Sequence, residues 1–78
     1  RPLREVEGRR LKEAVRAAVA RLPDEQRVVL EMRVIGELTY KEIAGSLGVP
    51  IGTVMSRLNR GRARIQEELR EQWGSEVV

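Results

Sequence analysis

Residues 39–64 of the chain read TYKEIAGSLGVPIGTVMSRLNRGRAR, which is the pattern of two helices joined by a tight turn. Thr39 and Glu42 fit a capping box, in which each residue's side chain bonds to the other residue's backbone N–H. We therefore expect a helix to begin at Thr39. Gly48 predicts the end of that helix, because glycine adopts the left-handed conformation that a sharp turn requires. A longer helix is expected to follow from about Ile51 to Gln72.

Two helices separated by a three-residue turn form a helix-turn-helix. Its predicted interior is made of the small and apolar residues Ile43, Ala44, Leu47, Gly48, Val49, Val54 and Leu58. Ala44 is small where the two helices must cross closely, and Val54 and Leu58 recur one turn apart on the inward side. In such a unit the N-terminal part of the second helix protrudes, and that part fits the major groove of DNA.

The outer side of this second helix is rich in hydrogen-bonding residues. If Val54 and Leu58 face inward, the outer side and its edges carry Gly52, Thr53, Ser56, Arg57, Asn59 and Arg60. Arginine reads guanine through two hydrogen bonds, and serine and asparagine bond to base edges or phosphate. Arg62 and Arg64 lie further along the helix and are predicted to contact phosphates, which adds affinity without sequence information.

The charge distribution agrees with this interpretation. The chain has 78 residues, 15 Lys and Arg against 12 Asp and Glu, and a net charge of +3, which alone is a weak indication of a nucleic-acid partner. The window from Ile51 to Arg64, however, holds four arginines and no acidic residue. A cluster of arginines is more often an ordinary solvated helix face. Its position on the outer side of a helix-turn-helix favours contact with phosphate instead.

Two more helices are predicted ahead of this unit. From Arg9 the apolar residues recur at steps of three and four, and Pro23 ends this first helix near Leu22. Pro23 is then expected to be the first residue of a second helix that Gly36 ends. The second helix is apolar around much of its circumference, which predicts a position at the centre of the domain. Its apolar residues are Val28, Val29, Leu30, Met32, Val34 and Ile35.

The predicted fold class is all-α, a small four-helix domain with a C-terminal helix-turn-helix and no wing. Residues 9–73 form the domain, 1–8 the end of an interdomain linker, and 74–78 a C-terminal tail. The chain has no cysteine and no histidine, which removes disulfides, the usual zinc ligands and the commonest general base. We therefore expect no enzyme, no catalytic residue, no metal and no cofactor. No apolar run approaches the roughly 18 residues of a membrane span, so no membrane insertion is expected.

From about Leu22 to Leu69 the chain resembles region 4 of bacterial sigma-70 family sigma factors, particularly the extracytoplasmic-function (ECF) group. The matching pieces are LPDEQR, LTYKEIAGSLGV and PIGTVMSRLNRGRARI. The resemblance implies a domain that recognises the −35 promoter element as double-stranded DNA and docks onto the flap of the RNA polymerase β subunit. It also implies an anti-sigma factor as a partner and a place in transcription initiation in the bacterial cytoplasm.

The resemblance also assigns roles to individual residues. Ser56, Asn59 and Arg60 fall on base-reading positions, with Met55 beside them where the group usually has Lys or Arg. Thr53 and Arg57 fall near the DNA backbone, and Tyr40 and Lys41 fall where phosphate is often held. Pro50 stands where many members have a serine cap, so the helix that follows is expected to lack a side-chain cap.

Two other functions stay open at this point. The chain could be the DNA-binding effector domain of a response regulator, which uses a similar four-helix core. It could also be a helical protein-interaction module with no direct role at DNA. The run GTVMSRLNRGR and the Leu22–Pro23 start of the second helix favour the sigma factor.

Overall fold

The computed structural model describes residues 2–74 of the chain. They form four helices, α1 (Pro2–Ala20), α2 (Asp24–Val34), α3 (Tyr40–Leu47) and α4 (Ile51–Trp73). The described residues contain no strand, and the predicted all-α class is confirmed. Residue 1 and residues 75–78, which include most of the predicted tail, lie outside the described part of the chain.

Helix α1 begins seven residues earlier than predicted. The sequence pattern placed its start at Arg9, whereas the helix runs from Pro2 through Gly8 to Ala20. Proline is favoured at the first helical position, and a single glycine costs a helix only about 1 kcal/mol, so neither residue breaks it. Most of the segment that was predicted as a linker is therefore helical, and its role between domains stays a prediction.

Helix α2 differs from the prediction at both ends. Pro23 precedes the helix as its N-cap instead of being its first residue, and its carbonyl accepts from the Arg27 backbone N–H at 3.0 Å. At the other end, Val34 and Ile35 are 65% and 78% exposed. The expectation that the whole helix is central is wrong, because no described element covers its last turn. Its central residue Val29 is fully buried.

The connection from α2 to α3 needs a glycine for a reason other than the predicted one. Glu37, not Gly36, adopts the left-handed conformation, with φ of 55°. A Cβ on Gly36 would lie 2.7 Å from the Met32 carbonyl oxygen, so the close approach of two backbone segments excludes a side chain there.

Helix α3 begins and ends where the sequence predicts. The Thr39 backbone N–H donates to Glu42 Oε1 at 2.8 Å, and the Glu42 backbone N–H donates to Thr39 Oγ1 at 3.1 Å. The predicted capping box is thus confirmed. Gly48 has φ of 68° in the left-handed region, and the next residue, Val49, bonds back to the Ala44 carbonyl at 3.1 Å.

Helix α4 is the centre of the domain and contacts each of the other three helices. Val54 and Leu58 are buried as predicted, and the same inward stripe continues through Gly61 and Leu69, which are buried, and Ile65, which is half-buried. Ile43 of α3 completes the centre of the helix-turn-helix and, like Val54 and Leu58, is fully buried. Ala44, Leu47 and Val49 pack against this core from its edge.

An ion pair ties the end of α1 to α4. The Arg21 guanidinium donates to both carboxylate oxygens of Glu68, with Nε 3.2 Å from Oε1. This hydrogen bond lowers the pKa of Glu68, and the bond from the Thr39 backbone N–H lowers the pKa of Glu42. Because both pKa values are lowered on folding, the two contacts stabilise the fold at neutral pH. Their contribution is lost as the pH falls through the folded-state pKa values of the carboxyls.

The glycines of α3 and of the preceding turn should respond oppositely to a methyl group. A Cβ on Gly45 meets nothing within 4 Å, so Gly45→Ala should raise the free energy of unfolding by about 1 kcal/mol through helix propensity. Gly36→Ala should lower it by about 1–3 kcal/mol because of the clash with the Met32 carbonyl. Urea unfolding followed by circular dichroism measures both. A destabilised Gly45→Ala would contradict the open space around that residue.

Candidate nucleic-acid interface

The packing of α4 determines which of its residues reach solvent. Since Val54 and Leu58 are fully buried, the side of the helix turned away from them is open. Asn59 and Arg60 are exposed there, and Ser56 beside them is half-buried. Met55, at the edge of this side, is 46% exposed. All four predicted base-reading residues thus reach solvent within six consecutive positions of α4.

The arginines of this helix differ in their surroundings. Arg60 and Arg62 are exposed and form no salt bridge with any other residue in the described range. Arg64 is also exposed, and its charge adds to the Arg21 hydrogen bond in lowering the pKa of Glu68. The open side of α4 therefore presents positive charge that is largely uncompensated by the fold.

Arg57 is separated from this group. Its side chain is half-buried, and its Nε lies 3.8 Å from Glu25 Oε2 at the start of α2. Thr53, one turn earlier on the same side of α4, is half-buried. The resemblance places both residues near the DNA backbone. In the structure Arg57 lies beside Glu25 of α2 at the edge of the open side, one turn after Thr53. The Glu25 contact could not be predicted from the sequence, because it joins residues far apart in the chain.

The N-terminus of α3 holds a second basic cluster. Lys41 is exposed, and Tyr40 is half-buried against the core. The Arg33 guanidinium lies over the Tyr40 ring, 5.7 Å from its centroid, and its Nη1 donates to the Leu38 carbonyl at 3.2 Å. Arg33 was missed by the sequence analysis. The sequence shows a basic residue in the last turn of α2, but it does not predict the turn that brings this residue over the Tyr40 ring.

The first turn of α4 is open. Pro50 provides no side-chain cap, as predicted, and the first turn contains no acidic residue. Gly52 is exposed, and a Cβ there would meet nothing within 4 Å. The backbone of this turn can therefore approach another molecule closely, with its positive helix end directed outward.

An apolar groove of about 760 Å³ lies on another side of the molecule. It is lined by Val15 and Val19 of α1, Leu30 and Val34 of α2, and Ile65 of α4. Ile65 belongs to the inward stripe of α4, so the groove lies away from the open side that carries Asn59 and Arg60. The molecule thus has two distinct surfaces, one basic and one apolar.

Residues 2–74 contain no cluster of His, Cys, Asp or Glu that could hold a metal ion, as far as their side chains are described. Nor does any helix in this range combine the length and apolar character needed to cross a membrane.

A capped helix, a left-handed glycine turn and a long helix locked by Val54 and Leu58 define a helix-turn-helix domain. Residues 12–65 match the family described as Sigma-70, region 4. Since this match covers more than half of the chain, the chain belongs to the sigma-70 region 4 family, in its ECF group. The match favours this family over the response-regulator effector domain and the protein-interaction module.

Curated relatives agree with the family match. The chain is 38% identical over 52 residues to the ECF RNA polymerase sigma factor RpoE of Cereibacter sphaeroides, covering 67% of the chain and 29% of that protein. It is 36% identical over 61 residues to the ECF RNA polymerase sigma factor SigW of Bacillus subtilis, covering 78% and 33%. The RNA polymerase sigma factor HrpL of Pseudomonas syringae pv. syringae is 40% identical over 65 residues, with 83% and 35% covered. The chain spans about a third of the length of these relatives.

Proposed function

We propose that this chain is the −35 promoter-recognition domain of an ECF sigma factor and directs RNA polymerase to specific promoters for transcription initiation. The observation that carries the proposal is the open side of α4, where Asn59 and Arg60 are exposed on a helix locked by a buried core. A major groove admits one α-helix, and its base edges carry the donors and acceptors that such side chains recognise. The domain acts by binding, without a catalytic group or a cofactor.

The residues divide into two roles. Met55, Ser56, Asn59 and Arg60 read bases from α4. Backbone contacts come from Thr53, Arg57, Arg62 and Arg64 on α4 and from Tyr40 and Lys41 on α3. We add Arg33 to this second group, because its guanidinium lies over the Tyr40 ring at the N-terminus of α3. Arg57 can exchange Glu25 for phosphate, because the Glu25 carboxylate is 74% exposed and solvent-screened ion pairs of this kind contribute only about 0–1 kcal/mol.

The apolar groove between α1, α2 and α4 is the docking site for the flap of the RNA polymerase β subunit. It lies away from the open side of α4, so DNA and polymerase can be bound together. Val34 and Ile35, which line the groove, are 65% and 78% exposed and present apolar surface that only a partner can remove from water. An anti-sigma factor that covers this groove would block polymerase binding, and all these partners are present in the bacterial cytoplasm.

The functional unit comprises residues 9–73, with residues 1–8 as the end of an interdomain linker and 74–78 as a tail. The helical course of Pro2–Ala20 makes that linker a continuation of α1. Such a connection holds the domain at a defined distance from a preceding one, since a helix advances about 1.5 Å per residue.

Arg60 and Arg62 provide a matched test of the two roles. Both are exposed, so alanine at either position should leave the fold intact. Arg60→Ala should cost about 1–3 kcal/mol on the preferred duplex and relax base choice at one position, whereas Arg62→Ala should weaken all sequences alike. Fluorescence anisotropy on the preferred duplex and its single-base variants measures both effects. Equal weakening of every sequence by Arg60→Ala would make Arg60 a phosphate contact instead.

The groove can be tested separately from the DNA surface. Val34→Ser together with Ile35→Ser should reduce capture of the domain by the isolated polymerase flap and leave duplex affinity unchanged. The matched control is Ile51→Ser with Met55→Ser, which changes the two other exposed large apolar residues, both on α4 and outside the groove. The control should still be captured by the flap in a pull-down. Unchanged capture of the Val34/Ile35 variant would place the flap elsewhere.

A further inference from the structure

Four large hydrophobic residues of the described chain are markedly exposed, and they fall into two pairs. Val34 and Ile35 line the apolar groove. Ile51 and Met55 lie in the first two turns of α4 and are 48% and 46% exposed. Residues four apart on a helix are neighbours on its surface. We refer to these two residues as the Ile51/Met55 pair.

The surroundings of the Ile51/Met55 pair indicate what covers it. The pair lies at the N-terminal end of a helix whose stretch from Ile51 to Arg64 has four arginines and no acidic residue. It takes no part in the groove, whose lining comes from α1, α2 and Ile65. The partner must therefore be polyanionic as a whole and still present an apolar group at the depth that the end of α4 reaches.

Duplex DNA is polyanionic, and one of its bases presents an apolar group in the major groove. The major-groove edges of the bases carry hydrogen-bonding groups, and the one apolar group among them is the C5-methyl of thymine. We propose that the Ile51/Met55 pair reads thymine methyl groups, so that the preferred duplex has one or two thymines under the N-terminal turns of α4. This inference rests on the proposed promoter recognition and specifies part of the sequence that is read.

The chemistry of the two side chains fits this role. Neither Ile51 nor Met55 can donate a hydrogen bond, so neither can select guanine or adenine through its acceptors. Methionine is unbranched and has a flexible thioether chain, which lets it adjust to a methyl group in the major groove. Gly52 lies between them with open space around it, so the backbone does not hold the pair away from the bases.

The test removes the methyl group and nothing else. A selection on random duplexes first gives the sequence that the 78-residue chain prefers. Each thymine of that duplex is then replaced by uracil, which keeps base pairing and all hydrogen-bonding groups. Affinity should fall about fourfold at one or two positions, the value expected for one buried methyl group. It should be unchanged at the other thymines.

Variants test whether the loss of affinity on uracil substitution depends on the Ile51/Met55 pair. In Met55→Ala or Ile51→Ala the uracil effect should disappear at the corresponding thymine, whereas Val34→Ala, an exposed apolar control outside α4, should retain it. Met55→Arg should shift the selected base at that position from thymine to guanine. If uracil leaves the affinity unchanged at every thymine of the preferred duplex, the thymine-methyl inference is wrong while promoter recognition stands. The same holds if the loss of affinity on uracil substitution persists in both alanine variants. Equal affinity for all sequences would overturn the proposed promoter recognition as well.

Discussion

The contact of Val54 and Leu58 with Ile43 is the constraint on which the rest of this domain depends. All three side chains are fully buried where α4 crosses α3. Burying a side chain of this size stabilises a protein by about 1.5–3 kcal/mol, which is a large share of the stability of a small domain. The same contact fixes the rotation of α4 about its axis. Once Val54 and Leu58 face inward, Asn59 and Arg60 must face solvent.

The two sides of helix α4 therefore have different roles, one in packing the domain and one in contacting another molecule. Its inward stripe holds α1, α2 and α3 together, and its outward side remains free for another molecule. The turn before it supports this arrangement, because Gly48 in the left-handed region directs the chain from α3 into α4 within three residues. The apolar groove is a consequence of the same packing, since it forms where α1 and α2 meet the inward residue Ile65.

Much of this could be predicted from the sequence, because the decisive signals are local. The capping box of Thr39 and Glu42, the turn at Gly48 and the apolar stripe of α4 each depend on residues within one or two turns. The errors arise where packing between elements or the detailed course of a turn, rather than residue type, decides the structure. Exposure of Val34 depends on which elements fail to cover α2, and the approach of Gly36 to Met32 depends on how the chain turns.

The candidate site likewise has features that could be predicted from the sequence and features that could not. The exposure of Asn59 and Arg60 follows from the positions of Val54 and Leu58, so the open side of α4 could be predicted. The position of Arg57 beside Glu25 and that of Arg33 over Tyr40 could not, because both depend on how α2 lies against the helix-turn-helix. The roles of these residues at DNA remain predictions.

The central claim is that the open side of α4 binds a duplex through arginines as well as through base contacts. The most direct measurement is the affinity of the chain for its selected duplex and for a scrambled one between about 50 and about 200 mM salt. The account predicts that both affinities fall steeply, linearly on logarithmic axes, while the selected duplex stays preferred. An affinity that does not change over this range would contradict the account.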